Sequence, residues 1–400
     1  MRRREILGSL AAASVFALPR PLLAQRVPLR VAVVGGGIVG ASIAMHLAEA
    51  GASVTLLEKA GPARGATEKS FAWLNIYNSD AHYRAVRLAS LAAYRALDIP
   101  LGLGITWGGY LNWTDTAPES EAIRAFARAV AGSPQALREL SVEEFAQISP
   151  CIAPGSVASA YFSALDGHLD PVWVTYRFLD RARLLGARVT FPCEVTGLEF
   201  RRGRLTRVTT TQGKIKADRL VVAAGVDTPR ILSMAGFPLR LKHAPGILAH
   251  SLPLPEVTKM VYDGPRGLEF KQMANGRIVG TDAPAPPDIP AHREIRERVS
   301  DFPDDATRSM HGRRVLDRIA LYLPAAKSAI LDYLTLGFRP MPLDEFPVVG
   351  AVPDSRDVYV AVTHSGVTLA PILGRYVSEE LLGGRLVESL SPYRPARFGG

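Results

Sequence analysis

Three glycines carry the first chemistry in this chain. Gly35, Gly37 and Gly40 follow the apolar run Val31-Ala32-Val33-Val34 and precede a helix-like stretch from Ala41 to Ala50. The spacing Gly-x-Gly-x-x-Gly brings backbone N–H groups against the diphosphate of a dinucleotide. The first glycine makes the tight turn, the second admits the phosphates, and the third lets helix and strand pack closely. The positive helix end then faces the anion. Gly51 stops the helix, and a second apolar run, Val54-Thr55-Leu56-Leu57, ends at Glu58. A carboxylate about twenty residues beyond the glycines can accept from a ribose hydroxyl. The spacing alone is weak: Gly102-x-Gly104 opens a similar pattern, but Trp107 holds its third place and no apolar strand precedes it. A purely structural glycine turn at 35–40 is the bland reading. Strand, helix, stop and acid in that order argue for dinucleotide binding.

A second element of this kind lies near the other end. Val358–Val362 reads as a strand, Thr363-His364-Ser365-Gly366 as a loop, and the run to Leu382 as a helix. A nicotinamide needs no second positive helix terminus. A flavin gains from one, because hydride arriving at N5 leaves negative charge near N1 and the C2 oxygen. One phosphate site plus one distant helix end favours FAD over NAD.

These groups need a scaffold, and the intervening sequence reads as one. An amphipathic helix is expected around His82–Leu97, a strand over Ile105–Trp113, and a helical hairpin over Pro118–Gln147 broken at Ser133-Pro134. Asp170-Pro171 starts a helix through Leu185. Arg188–Val195 reads as a strand, three short alternating runs over 197–217 as a meander, and Leu220–Ala224 as a buried parallel strand meeting Gly225. Residues 246–338 alternate like an antiparallel sheet (Met260–Tyr262, Leu268–Gln272, Arg277–Gly280, Ile330–Phe338), with a proline-rich linker at 284–290 and a helix around Ala306–Tyr322. The expected fold is α/β: a Rossmann-type FAD-binding domain formed by 27–92, 157–235 and 338–395, and a mainly antiparallel substrate domain formed by 93–156 and 236–337. Both are discontinuous in sequence.

With those residues in view, the chain resembles the D-amino-acid oxidase, glycine oxidase and sarcosine oxidase family of FAD amine oxidoreductases. The likeness rests on Val33 to Gly40, Glu58-Lys59, Gly65-Ala66-Thr67 with Ser70-Phe71-Ala72-Trp73, and Asp166 to Pro171. It continues through Val221 to Gly225, Gly337-Phe338-Arg339-Pro340, Pro347 to Gly350 and His364 to Pro371. The resemblance implies that Gly35, Gly37, Ile38, Val39 and Gly40 hold the pyrophosphate, with Glu58 and Lys59 at the adenosine ribose. It puts the Val195 backbone at adenine, Ala224 and Gly225 along the cofactor, and Thr67, Ser70, Ala72 and Trp73 beside the flavin ring. Ala72 and Trp73 would lie nearest N5, and Gly366, Val367 and Thr368 would meet the N1 and C2 edge.

Arg339 matches the family arginine that grips a substrate carboxylate, chemistry suited to a guanidinium fork; a scaffold salt bridge is its alternative. Some relatives attach flavin through a cysteine in the C-terminal third, and no cysteine follows Cys193 here. Others carry a lysine above the flavin that speeds reaction with oxygen, and the sequence does not choose between Lys271 and Arg277. His364 is expected to anchor its loop. Tyr262, Phe270, Tyr322 and Tyr333 are possible pocket walls, with core or surface positions equally open. The activity implied is oxidative deamination or dealkylation of a small, carboxylate-bearing amine by hydride transfer to flavin N5, the electron acceptor unassigned. A non-catalytic flavoprotein and an NADPH-dependent flavin monooxygenase are the rivals, and the absence of a second full glycine motif speaks against the latter.

Met1-Arg2-Arg3-Arg4-Glu5, an apolar run to Leu18 and a small-residue exit near Ala24 read as an export signal with a twin-arginine-like core, giving a periplasmic address for 1–26; an uncleaved anchor is the alternative. Losing residues 1–24, which hold Arg2, Arg3, Arg4, Arg20 and Glu5, lowers the formal charge from +9 to +6. No basic stripe with interleaved aromatics is present, so no nucleic-acid partner is expected. Two cysteines, Cys151 and Cys193, exclude a disulfide scaffold and are expected to be unpaired, buried thiols.

Overall fold

The computed structural model describes residues 28–133, 136–282 and 304–398. The export signal expected over 1–26, the break at Pro134 and the linker at 284–290 lie outside them. The first sheet has the order β20 (Val348–Val352), β21 (Ser355–Val362), β12 (Arg219–Val222), β1 (Arg30–Val34), β2 (Ser53–Leu57) and β8 (Arg188–Thr190). Every neighbouring pair is parallel except β20 with β21. Such a sheet is covered on both faces, which explains its continuous apolar strands. Val31 and Val33 face one core, formed with α1 (Ile38–Glu49), α2 (Ala81–Leu101), α5 (Pro171–Leu184) and α8 (Gly366–Gly383). Ala32 and Val34 face another, formed with α6 (Thr228–Ser233) and a meander of β9 (Val195–Arg201), β10 (Arg204–Thr210) and β11 (Gly213–Lys216).

The second sheet has eight strands in the order β18 (Leu331–Phe338), β14 (Pro245–Pro253), β17 (Arg277–Asp282), β16 (Leu268–Gln272), β15 (Val261–Gly264), β4 (Tyr110–Thr114), β6 (Ser159–Ser163) and β5 (Arg138–Glu139). It is antiparallel apart from the parallel β15–β4 pair. One face packs on α7 (Asp305–Tyr322) through Val315, Leu316 and Ile319, around Trp113, Tyr262 and Phe270. Trp113 stands edge-on to Phe145, Phe270 and Tyr322, contacts worth ~1 kcal/mol each beyond burial. α3 (Ala117–Val130) and α4 (Val142–Ile148) flank this sheet in sequence. Two small ladders, β3 (Trp73–Leu74) with β7 (Gly167–His168) and β13 (Leu241–Lys242) with β19 (Met341–Pro342), complete the strands.

Several elements differ from the sequence reading. α2 runs four residues past its expected end, carries Pro100, and stops at Gly102, whose φ of 61° makes a left-handed cap. The decoy glycine pattern is thus a helix stop. The strand expected over Arg188–Val195 divides into β8 and β9, which join different sheets. The hairpin expected over 118–147 contains β5 between its helices. β14, the nine-residue strand that joins β18 to β17, was absent from the expected set. β6 lies within 157–235, the stretch assigned to the nucleotide domain, yet it pairs with β4 in the second sheet.

Candidate cofactor and substrate site

A cavity of about 520 Å³ opens at the carboxyl ends of β1, β12 and β21, the end where open parallel sheets take ligands. Its first wall is the turn after β1. Gly35 has φ +111°, and a Cβ there would meet the Ala223 carbonyl oxygen at 2.3 Å. A Cβ on Gly40 would lie 2.0 Å from the Gly35 oxygen, so this glycine lets α1 approach the strand rather than lining the cavity. The Gly36 N–H donates to Glu58 Oε2 (2.7 Å) and the Ala60 N–H to Oε1 (2.8 Å), which locks the carboxylate at the wall. The Thr67 hydroxyl accepts from Ile38 N–H (3.2 Å). Lys59 pairs with Asp227 at the cavity edge, beside Ala224 and Gly225.

The opposite wall is the start of α8. Gly366 and Val367 line the cavity, Ser365 makes no side-chain cap, and no acid occupies the first turn. Ser90 Oγ donates to the Thr368 carbonyl and Tyr94 Oη to that of Val367, each at 2.6 Å. The Arg87 guanidinium reaches Ser365 Oγ at 2.9 Å. Thr368 donates to the Trp73 carbonyl (3.0 Å) and so braces the segment between the walls without lining the cavity.

Within that segment Ser70 lines the cavity and accepts from the Ala72 N–H (3.0 Å). Ala72 is held at φ 54°, and its carbonyl receives the Lys271 ammonium at 3.4 Å. The Trp73 indole donates to Asp166 (2.8 Å) and stacks on Tyr110. Ala72 and Trp73 stand behind the cavity wall. Val195, expected at adenine, is buried, accepts from Arg230 (3.1 Å) and also lies off the wall.

Arg339 just past β18, Glu269, Thr281 and Asp282 of the second sheet, His311 of α7 and Gly246–Leu248 of β14 also line the cavity. Arg339 directly follows β18, its N–H bonded to the Ala244 carbonyl at 2.9 Å. Burial lowers the pKa of its guanidinium against the opposing charges of Glu269 and Glu345. Lys271 is 1% exposed, and burial pulls its pKa down to about 7. His364, half-buried on the wall, is pulled down to about 4 by burial and the nearby Arg87 and Arg339 cations, so it is neutral at pH 7. Arg277 instead pairs with Asp332 and the Ser251 carbonyl, away from the cavity. Tyr262 and Phe270 lie in the aromatic core, Tyr322 packs against it, and Tyr333 is exposed, so none is a wall. Both cysteines are free, but Cys151 is half-buried rather than buried, near Tyr262 Oη.

The donor set fits an anionic dinucleotide. No described residue accepts from the N–H groups of Gly37 or Val39, both on the cavity wall, and α1 has no acid in its first turn. Gly35, Gly37, Ile38, Val39, Glu58, Lys59, Thr67, Ser70, Ala224, Gly225, Arg339, Gly366 and Val367 share one cavity. Asp227, Glu269 and Gly246–Leu248 joined it without being foreseen. A clear sign was available for Glu269 and Lys271: two charges alternating with Leu268 and Phe270 in an interior strand.

The family model described as DAO, FAD dependent oxidoreductase, matches residues 30–380. Human mitochondrial dimethylglycine dehydrogenase is 25% identical over 389 residues, which cover 92% of this chain and 44% of that enzyme. Glycine oxidase of Bacillus licheniformis is 25% identical over 363 residues, covering 88% of this chain and 92% of its own. This chain therefore spans under half the length of the first of these relatives and nearly all of the second. In fold it is similar to L-proline dehydrogenase from P. horikoshii (TM-score 0.81, 22% identity, 93% of this chain and 99% of that one). Glycine oxidase from Geobacillus kaustophilus is similar too (TM-score 0.79, 22% identity, 92% and 99%).

Proposed function

The chain belongs to the DAO family of FAD-dependent oxidoreductases, and from that premise we propose that it oxidises a small amino acid or N-alkyl amino acid at its carbon–nitrogen bond. The observation that carries this reading is Arg339, a half-buried guanidinium on the wall of the same cavity as the glycine turn and the α8 terminus. A guanidinium there holds a carboxylate through two parallel hydrogen bonds and fixes the substrate's orientation. Bound FAD supplies the hydride acceptor, and the chain supplies alignment. Gly35 to Val39 would hold the pyrophosphate, Glu58 the ribose, and Gly366 and Val367 the pyrimidine edge. His364, neutral at pH 7, adds no charge beside Arg339. Of the two cations weighed for the family's lysine over the flavin, Lys271 is favoured by its bond to the Ala72 carbonyl just behind the cavity wall, while Arg277 is turned to Asp332. The names of dimethylglycine dehydrogenase and glycine oxidase fit a substrate of this size and charge.

The test is anaerobic titration of the FAD-loaded protein with D-amino acids, glycine, sarcosine and proline derivatives. Loss of the oxidised flavin band with at least one of them is expected. A yellow protein that no member of the panel bleaches would point to a non-catalytic flavoprotein, and NADPH consumption to a monooxygenase. We also propose periplasmic export through Arg3-Arg4. Replacing both by lysine should retain the full chain in the cytoplasm on fractionation, and unchanged export would remove that address.

A further inference from the structure

β16 alternates in register with its role. Leu268 and Phe270 enter the aromatic core, leaving Glu269 and Lys271 on the opposite face. Glu269 reaches the cavity wall that also carries Arg339. In the ladder it stands opposite Asp263 of β15 and Thr281 of β17. The Asp263 carboxylate is satisfied, accepting from Tyr110 Oη (3.0 Å) and Asn112 Nδ2 (3.1 Å). The Glu269 carboxylate accepts from no described residue; Asp263 and Arg339 act on it only through their charges. Burial and Asp263 push it up to about 8, so it is held largely protonated when nothing faces it. Glu269 is half-buried on the cavity wall, so a ligand that brings a donor there gives its carboxyl the partner that it lacks.

Glu269 and Arg339 thus face one space without forming an ion pair with each other. Their opposite chemistries match the two ends of an amino acid. We propose that Glu269 accepts an N–H of the substrate's amino group while Arg339 holds its carboxylate, so that the site selects amino acids over plain carboxylates. This rests on the reading of Arg339 given above. One acceptor asks for one N–H and leaves the other nitrogen substituents open to hydrogen or alkyl, the class spanned by primary and N-alkyl amino acids.

The test uses two ligands that cannot be oxidised at the α-carbon. 2-Aminoisobutyrate has no α-hydrogen, and pivalate replaces its ammonium by a methyl of similar size. Binding to the FAD-loaded protein is read by flavin absorbance and by calorimetry. The natural chain should prefer 2-aminoisobutyrate by about tenfold or more, the range of a charge-assisted hydrogen bond. Glu269→Leu should abolish that preference and leave pivalate affinity within about twofold. Glu269→Gln, which keeps an acceptor without the charge, should fall between. If Glu269→Leu fails to retain FAD, the ligand ratio in Glu269→Gln decides. A preference that is undiminished in Glu269→Leu or in Glu269→Gln, or equal losses for both ligands, overturns the proposal while leaving the Arg339 reading intact. Pivalate binding that survives in Arg339→Ala, or no binding of either ligand to the natural chain, overturns that reading and this proposal with it.

Discussion

Arg339 and Lys271 are both cations that the fold has drawn from water, and burial acts on them differently. A guanidinium stays protonated at any ordinary pH, whereas an ammonium gives up its proton. Lys271 titrates near 7 in the folded chain against an ordinary value of 10.5. Between those values the unfolded chain binds more protons, so this group's contribution makes stability rise with pH from about 7 to 10.5, by at most ~1.4 kcal/mol per pH unit. Lys271→Met should flatten that rise, as thermal or urea unfolding across pH 7–10 would reveal; an unchanged slope would mean that Lys271 keeps its charge. For Arg339→Ala the expected outcome is FAD content unchanged and saturation by carboxylate substrates weakened about tenfold or more, measured by anaerobic stopped-flow. Unaltered saturation would remove Arg339 from the site. The glycine turn, Glu58 and Arg339 were legible in the sequence because local spacing or a compact motif marks them. Asp227 was not, because its part in the wall depends on a pairing with Lys59 that only the tertiary fold creates.

At the scale of elements, the cofactor cradle depends on how closely α1 meets its neighbours. Gly374 in α8 faces Ser42 and His46 of α1, where an added Cβ would lie 2.4 Å and 2.6 Å from their side-chain atoms. Gly374→Val should therefore destabilise the chain by ~1–3 kcal/mol through overpacking and lower its flavin content as α1 is displaced. Asp80→Ala removes an N-cap bond to Tyr83 N–H at the start of α2. It should cost ~1 kcal/mol without loss of flavin. Absorbance ratios and melts on the two variants separate cradle geometry from bulk stability. Most element types were readable from periodicity. The failures have physical causes: Pro100 sits in the last turn of α2, where its lost N–H and its ring disturb only the helix end, and the strand expected at 188–195 changes sheets midway. Val195 lies off the cavity wall, its carbonyl bonded to Arg230.

For the whole molecule, the discontinuous arrangement ties stability to ligand. Walls of one cavity come from residues 35–71, 223–227, 245–248, 269–282, 311 and 337–367. FAD that binds only the folded chain should raise unfolding free energy by ~1.4 kcal/mol for each tenfold rise in free FAD above its dissociation constant. Melting curves over three decades of FAD check this, and a melting temperature independent of FAD would mean that the cradle does not hold it. The sequence disclosed that the chain revisits its first domain but not where each visit ends, since the sheet that β6 and β14 join is chosen by partners distant in sequence.

The pairing of β12 with β21 joins Leu220 to Val358, and the helix that closes the flavin edge begins only at Gly366. During synthesis, then, a ribosome-tethered fragment possesses the phosphate turn for more than 300 residues of growth before its opposite wall exists. Cofactor capture must then wait until α8 has been made, and a chain released before residue 366 should leave colourless.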